Sequence, residues 1–189
     1  SLDLCNRYIC DGYREKLSKT VQKLAYIREK LRGIGFSVED SEPLKLTLDA
    51  TSCGYTGEEL AQYLRQNNIE VEFADCEYVV MMATPENTEG ELDRLLFTLE
   101  HLPAREKNIK RETLSLKCKP DAVLSIREAV FAESETVALK EAIGRICASP
   151  TVSCPPAVPI VVSGERIDTE AVRVFEKYGI EEISVVKNF

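Results

Sequence analysis

The stretch Leu44-Lys45-Leu46-Thr47-Leu48-Asp49-Ala50, followed after three residues by Gly54-Tyr55-Thr56-Gly57-Glu58-Glu59, decides the fold of this sequence. Apolar and polar residues alternate in the first part, as they do in a β-strand with one buried face. In the second part Thr56 precedes a helical pattern and Glu59 follows three residues later, which is the capping-box arrangement of a helix N-terminus. A strand that runs through a short turn into a capped helix predicts helices packed on a sheet.

Upstream of this stretch, residues 2–34 predict one long amphipathic helix. Apolar residues recur there at steps of three and four, which is the spacing of one helix face. These residues are Leu2, Cys5, Ile9, Tyr13, Leu17, Val21, Leu24, Ile27 and Leu31. Gly33 and Gly35 follow the last periodic position and predict the end of the helix.

Downstream, two strands and a second capped helix complete a first domain. Asn67-Asn68 ends the preceding helix, and residues 69–74 then alternate between apolar and polar side chains, which predicts a strand. Residues 78–83 are continuously apolar, so we expect a strand covered on both faces, joined to the previous one by a hairpin-length turn. Thr88 and Glu91 form another capping box before a helical pattern that reaches Leu102. Residues 1–102 thus predict an α+β layer with a mixed or antiparallel sheet.

Residues 103–122 separate this layer from a smaller second domain. The segment is charged, contains prolines and lacks hydrophobic periodicity, so we interpret it as a linker. Residues 123–189 predict a smaller α+β C-terminal domain. Its expected elements are a short element at 123–130, strands at 135–139, 160–162 and 183–186, an apolar run at 143–148 behind a Gly144-Arg145 turn, and a helix capped by Asp168 and ended by Gly179.

Composition excludes several classes of function. The chain of 189 residues has 32 acidic and 24 basic side chains, and its net charge of −8 argues against a nucleic-acid or anionic-membrane surface. No apolar run approaches the roughly 20 residues that span a bilayer. Seven scattered cysteines without a C-x-x-C pair favour a reduced, cytoplasmic protein over a disulfide framework or a metal site. The start Ser1-Leu2-Asp3-Leu4 is neither a signal peptide nor an initiator methionine, so we expect a piece excised from a longer chain.

Catalytic equipment is scarce. His101 is the only histidine, and its position at the end of a helical pattern indicates a structural role near the helix C-terminus. The sequence contains no phosphate-binding glycine loop and no set of residues for a catalytic triad. We therefore predict neither a catalytic residue nor a metal ligand within this chain.

Two segments of the second domain resemble the C-terminal domain of the ornithine/lysine/arginine decarboxylases. They are residues 131–146, FAESETVALKEAIGRI, and residues 154–165, CPPAVPIVVSGE. The sequence departs from that family's pattern at Ala157, where glycine is usual, and at Ser163, where proline is usual. In the first domain, residues 53–57 and 68–72 resemble the family's small domain, so the resemblance covers essentially the whole chain.

The resemblance implies roles for a few residues. It places Glu135 where relatives use an acidic residue to meet the distal cation of the basic amino-acid substrate, and it places Pro155, Pro156 and Pro159 in a loop beside the active-site entrance. The residues alone leave other roles open. Glu135 is equally compatible with a solvated glutamate at a strand start, the three prolines with rigid entry into a strand, and Arg145 with a local ion pair.

The resemblance also implies a cofactor and a missing partner. Family members are pyridoxal-phosphate enzymes of the aspartate-aminotransferase fold that serve polyamine metabolism and form homodimers, and a lysine that follows a histidine holds the cofactor. Here Leu102 follows His101, so we expect the large cofactor-binding domain to lie outside this chain and no pyridoxal phosphate to bind to the fragment alone. Two alternatives stay open: a freestanding, non-catalytic α+β ligand-binding or regulatory module, and a degenerate family member that acts as a partner or inhibitor of an active decarboxylase.

Overall fold

A computed structural model describes residues 2–40, 42–106, 121–150 and 159–187. Contacts between residues divide the chain into two compact units, Ser1–Arg111 and Glu112–Phe189, and each is described by itself. The division falls within the segment interpreted as a linker. The exact limits predicted for the first domain (1–102), the linker (103–122) and the second domain (123–189) stay predictions.

The N-terminal helical region consists of two helices, so the prediction of a single helix over residues 2–34 is wrong. Helix α1 spans Leu2–Cys10 and helix α2 spans Tyr13–Gly33. Gly12 interrupts them because its φ of 70° lies in the left-handed region, which glycine adopts without steric cost. The apolar spacing continues across this break, which is why periodicity alone missed it. Helix α1 buries no residue, whereas α2 buries one face of its C-terminal half.

A four-stranded antiparallel sheet forms the centre of the first unit. Its strands are β1 Ser37–Glu39, β2 Lys45–Asp49, β3 Phe73–Ala74 and β4 Tyr78–Met82, in the spatial order β1-β2-β4-β3. A short 3₁₀ helix, Ala50–Cys53, follows β2. Every pairing is antiparallel. Of the two sheet types predicted, mixed and antiparallel, the structure has the antiparallel one. The α+β class is confirmed.

Helices α3 Gly57–Gln66 and α4 Glu89–Glu100 complete the unit, and both predicted capping boxes are confirmed. Thr56 accepts a hydrogen bond from the Glu59 backbone and Glu59 accepts one from the Thr56 backbone; Thr88 and Glu91 do the same at α4. The core packs leucines and isoleucines of the helices against the sheet. Its fully buried large side chains are Leu24, Ile27, Leu31, Leu46, Leu48, Leu60, Leu64 and Leu99.

Two details of the predicted strands are wrong. Strand β4 is buried on one face only, since Val79 and Met81 are buried while Met82 is 51% exposed. The strand expected over residues 69–74 is reduced to β3, which pairs with Val79 and Val80 of β4. Asn68 adopts a left-handed φ of 59°, and the residues that directly follow it do not pair with β4.

In its described residues, the second unit contains a three-stranded antiparallel sheet and two α-helices. In chain order it contains α5 Ile126–Phe131, β5 Ser134–Ala138, a 3₁₀ helix Leu139–Ala142, β6 Cys147–Ser149, α6 Thr169–Lys177 and β7 Glu182–Val186. The strands lie in the order β5-β7-β6. Asp168 caps α6 by accepting a hydrogen bond from the Ala171 backbone, as predicted, and Gly179 follows with a left-handed φ of 68°.

Residues 160–162 form no strand, contrary to the prediction. Val161 is buried in the core of the unit, and Val162 begins a tight turn in which Glu165 donates its backbone N–H to the Val162 carbonyl. Branched apolar residues indicated burial correctly here but not backbone conformation. None of the helices in the described part of the chain combines the length and apolar composition needed to cross a membrane.

Candidate functional site

Glu135 lies on β5, where it pairs in register with Val185 of β7. Because side chains alternate along a strand, Glu135 shares its face with Val137, which packs against the core of the second unit. Its side chain is 38% exposed. The carboxylate is therefore half-buried at the edge of the core rather than fully surrounded by water.

Arg145 holds one oxygen of this carboxylate. Its Nη2 donates to Glu135 Oε1 at 2.7 Å and to the Val186 carbonyl at 2.9 Å. Gly144, immediately before it, has a left-handed φ of 81° and turns the chain so that Arg145 faces β5 and β7. The local pairing of Arg145 proposed from the sequence is present, and its partner is Glu135.

The other carboxylate oxygen of Glu135, Oε2, has no hydrogen-bond partner within the part of the chain that the structure describes. A carboxylate accepts hydrogen bonds at both oxygens, so Oε2 retains its capacity to accept one from an ammonium or guanidinium group. The arrangement can thus fix the orientation of a carboxylate while leaving half of it available to a cation.

Of the three loop prolines, Pro159 is described and half-buried, whereas Pro155 and Pro156 lie outside the described residues. The chain after Pro159 leads to Ser163-Gly164-Glu165. Gly164 has a left-handed φ of 92°, and a Cβ there would lie 2.3 Å from the Leu124 carbonyl oxygen. Glu165 Oε2 accepts from the Val162 backbone at 2.9 Å, so this motif closes a turn.

The first unit contains a contact that sequence reasoning missed. Tyr55, which is buried, donates its hydroxyl to the Pro103 carbonyl at 2.6 Å. The guanidinium of Arg105 lies 4.0 Å from the centre of the Tyr55 ring, and Arg105 Nη1 donates to Glu59 Oε1 at 2.8 Å. The hydrogen bond from the Thr56 backbone, followed by that from Arg105, lowers the pKa of Glu59. Partners nearly fifty residues apart in sequence carry no local signal that pairs them.

The described residues do not fit a pyridoxal-phosphate site. His101 ends α4, where its Nδ1 lies 2.8 Å from the Phe97 carbonyl oxygen and its ring stacks on that of Phe97 at 4.0 Å. The only imidazole of the chain is thus engaged with its own helix, and Leu102 rather than lysine follows it. Within the described ranges, no group of three or more histidine, cysteine or acidic side chains could hold a metal ion.

Comparison with known proteins finds a family that matches part of the chain. Residues 105–178 match the family described as Orn/Lys/Arg decarboxylase, C-terminal domain. This part of the chain is thus similar to the Orn/Lys/Arg decarboxylases. The matched range includes Glu135, Arg145 and the Ser163-Gly164-Glu165 turn, so the resemblance recognised from these motifs is confirmed.

Curated relatives are similar in sequence, and solved structures share the fold. The arginine decarboxylase of Bacillus subtilis is 29% identical over 187 residues, which cover 90% of this chain and 38% of that protein. The Francisella novicida lysine decarboxylase shares the fold with a TM-score of 0.69 at 14% identity, over 92% of this chain and 40% of that chain. The Escherichia coli constitutive lysine decarboxylase gives a TM-score of 0.64 at 16% identity, with 92% and 41% covered. The chain therefore spans about two fifths of the length of these decarboxylases.

Proposed function

We propose that this chain supplies the C-terminal, substrate-facing part of a pyridoxal-phosphate-dependent decarboxylase of ornithine, lysine or arginine. Similarity to the Orn/Lys/Arg decarboxylase family over residues 105–178, and to arginine decarboxylases, supports the reaction class. The observation that carries the proposal is the half-satisfied carboxylate of Glu135. In this proposal it accepts a hydrogen bond from the distal cation of the substrate.

The geometry suits that task because Arg145 and the substrate would use different oxygens. Arg145 holds Oε1 and is itself fixed by the Val186 carbonyl, so the carboxylate loses little freedom when a ligand binds. Oε2 would then accept from an ammonium or guanidinium, and hydrogen bonds between ionised partners are the strong ones. Arg145 is a positioning residue in this scheme, since it acts on the substrate only through Glu135.

The cofactor would be held elsewhere in the complete enzyme. Pyridoxal phosphate supplies the electron sink for decarboxylation, and its lysine would belong to the portion of the relatives' length that this chain does not cover. We propose that the fragment alone binds no cofactor and is inactive. The complete enzyme would be a cytoplasmic homodimer, with Pro155, Pro156 and Pro159 beside the entrance to its site.

Substitution of Glu135 in the complete enzyme tests the proposal. In Glu135→Gln we expect the KM for the preferred basic amino acid to rise about 10- to 100-fold, because a hydrogen bond to a charged group contributes about 1.5–3 kcal/mol. Glu141→Gln, an exposed position in the following 3₁₀ helix, is the matched control and should leave KM unchanged. Equal KM values for Glu135→Gln and the parent enzyme, with ornithine, lysine and arginine alike, would contradict substrate contact.

A separate experiment tests the division of labour. The 189-residue chain, mixed with pyridoxal phosphate, should leave the visible absorption band of the cofactor unchanged and release no carbon dioxide from basic amino acids. The complete protein should shift this band and release carbon dioxide. A shifted band with the fragment alone would place the cofactor lysine within this chain. It would contradict the proposal that the fragment binds no cofactor.

A further inference from the structure

A cavity of about 260 Å³ opens in the first unit, away from Glu135 and Arg145 in the chain. Leu24, Leu46, Met81, Leu92 and Leu95 provide apolar lining, and all five are buried. The cavity can therefore take a small molecule with an apolar body.

One wall of the cavity is an incomplete sheet edge. Strand β3 pairs only with Val79 and Val80 of β4, and residues 69–71 share no backbone hydrogen bond with Met82 within the described part of the chain. The carbonyls of Tyr78 and Val80 accept bonds on the β3 side. Backbone groups of alternate residues face the same side of a strand, so those of Met82 face the gap.

The charged side chains at the rim of the cavity differ in whether they already have hydrogen-bond or ion-pair partners. Glu70 forms an ion pair with Arg65 at 3.4 Å, and Glu91 accepts hydrogen bonds from the Thr88 backbone at 2.7 Å and hydroxyl at 3.1 Å. Arg94 also lines the cavity, and it makes neither a hydrogen bond nor an ion pair with any residue in the described ranges. Arg94 acts electrostatically on Glu91, so the rim presents one cation that no hydrogen bond within the described ranges holds, beside two acidic groups that are already engaged.

We propose that this cavity binds a small amphipathic carboxylate, whose apolar chain lies against Leu46, Met81 and Leu95 and whose carboxylate pairs with Arg94. The planar guanidinium of arginine matches the two oxygens of a carboxylate. Burial of the chain supplies affinity and the ion pair supplies the preference for an acid. The site is independent of the proposed decarboxylase function, because it uses other residues of the other unit.

Calorimetric titration of the 189-residue chain with octanoate tests this site. We expect octanoate to bind saturably. Octylammonium, whose apolar chain is one carbon longer and whose charge is opposite, should bind at least about tenfold more weakly. Arg94→Gln should weaken octanoate binding about tenfold and remove the preference over octylammonium. Arg94 is exposed, so the variant should fold normally.

Arg7→Gln is the matched control, since it removes an exposed cation of the first unit that pairs with Asp3 and does not line the cavity. It should leave octanoate binding within about twofold of the parent chain. Absence of saturable octanoate binding would overturn the proposal. So would equal affinity for octylammonium, or an Arg94→Gln variant that binds octanoate as tightly as the parent.

Discussion

Two arginine–glutamate pairs, one in each unit, have nearly the same geometry but leave their carboxylates in different states. Arg105 donates to Glu59 Oε1 at 2.8 Å and Arg145 donates to Glu135 Oε1 at 2.7 Å. In Glu59 the second oxygen accepts from the Thr56 backbone at 2.9 Å, so the chain itself uses both oxygens. In Glu135 only one oxygen is used within the described ranges.

The difference separates a structural carboxylate from one suited to a ligand. Glu59 completes the capping box of helix α3 and pairs with Arg105, and these interactions use the hydrogen-bonding capacity of both its oxygens. Glu135 is held in place but incompletely satisfied, as a preorganised binding group should be. Whether the second carboxylate oxygen already accepts a hydrogen bond therefore indicates more about function than the presence of an ion pair does.

The strongest way to disturb the structural side of this comparison is to substitute Gly57, two residues before Glu59. A Cβ at Gly57 would lie 2.3 Å from the carbonyl oxygens of both Asp75 and Tyr78. Gly57→Ala should therefore lower the free energy of unfolding by about 1–3 kcal/mol, the usual cost of overpacking, measured by urea denaturation. Gly90→Ala is the control, because nothing lies within 4 Å of its added Cβ and α4 should keep or gain stability. Equal effects of the two substitutions would show that the close approach does not matter.

A second, smaller effect compares the two arginines directly. Arg145 is 26% exposed and also binds the Val186 carbonyl, whereas Arg105 is 46% exposed. We expect Arg145→Met to cost about 1–2 kcal/mol in the free energy of unfolding and Arg105→Met about 0.5 kcal/mol or less, as for surface pairs. In the complete enzyme Arg145→Met should also raise KM, whereas Arg105→Met should not. The reverse ranking in both stability and KM would remove the basis of the comparison.

How far the sequence predicts these features depends on the distance between partners. The capping boxes at Thr56 and Thr88 are local, three residues wide, and were fully predictable. The break at Gly12 was missed because apolar spacing continues across it, and the divergence of residues 69–71 because Asn68 adopts a left-handed conformation that alternation does not reveal. Glu135 and Arg145 were each singled out from their motifs, yet their pairing depends on the β5-β7 register and the turn at Gly144. The contact of Arg105 with Tyr55 had no sequence signal at all.

The smallest expected effect is a dependence of stability on pH that belongs to Glu59. Its pKa is lowered in the folded chain, first by the Thr56 backbone hydrogen bond and then by Arg105. A carboxyl whose folded pKa is depressed stabilises the fold above its unfolded pKa of roughly 4.3 and loses this contribution as pH falls through the folded pKa. The difference in unfolding free energy between the parent chain and Glu59→Gln should therefore be present at pH 7 and shrink towards zero at acidic pH, because glutamine keeps the capping geometry without the charge. Urea titrations of both chains between neutral and acidic pH measure it, with Glu58→Gln, the exposed neighbour, as control. A difference that stays constant with pH would show that the Glu59 charge adds nothing to its hydrogen bonds, and the contrast with Glu135 would then depend on geometry alone.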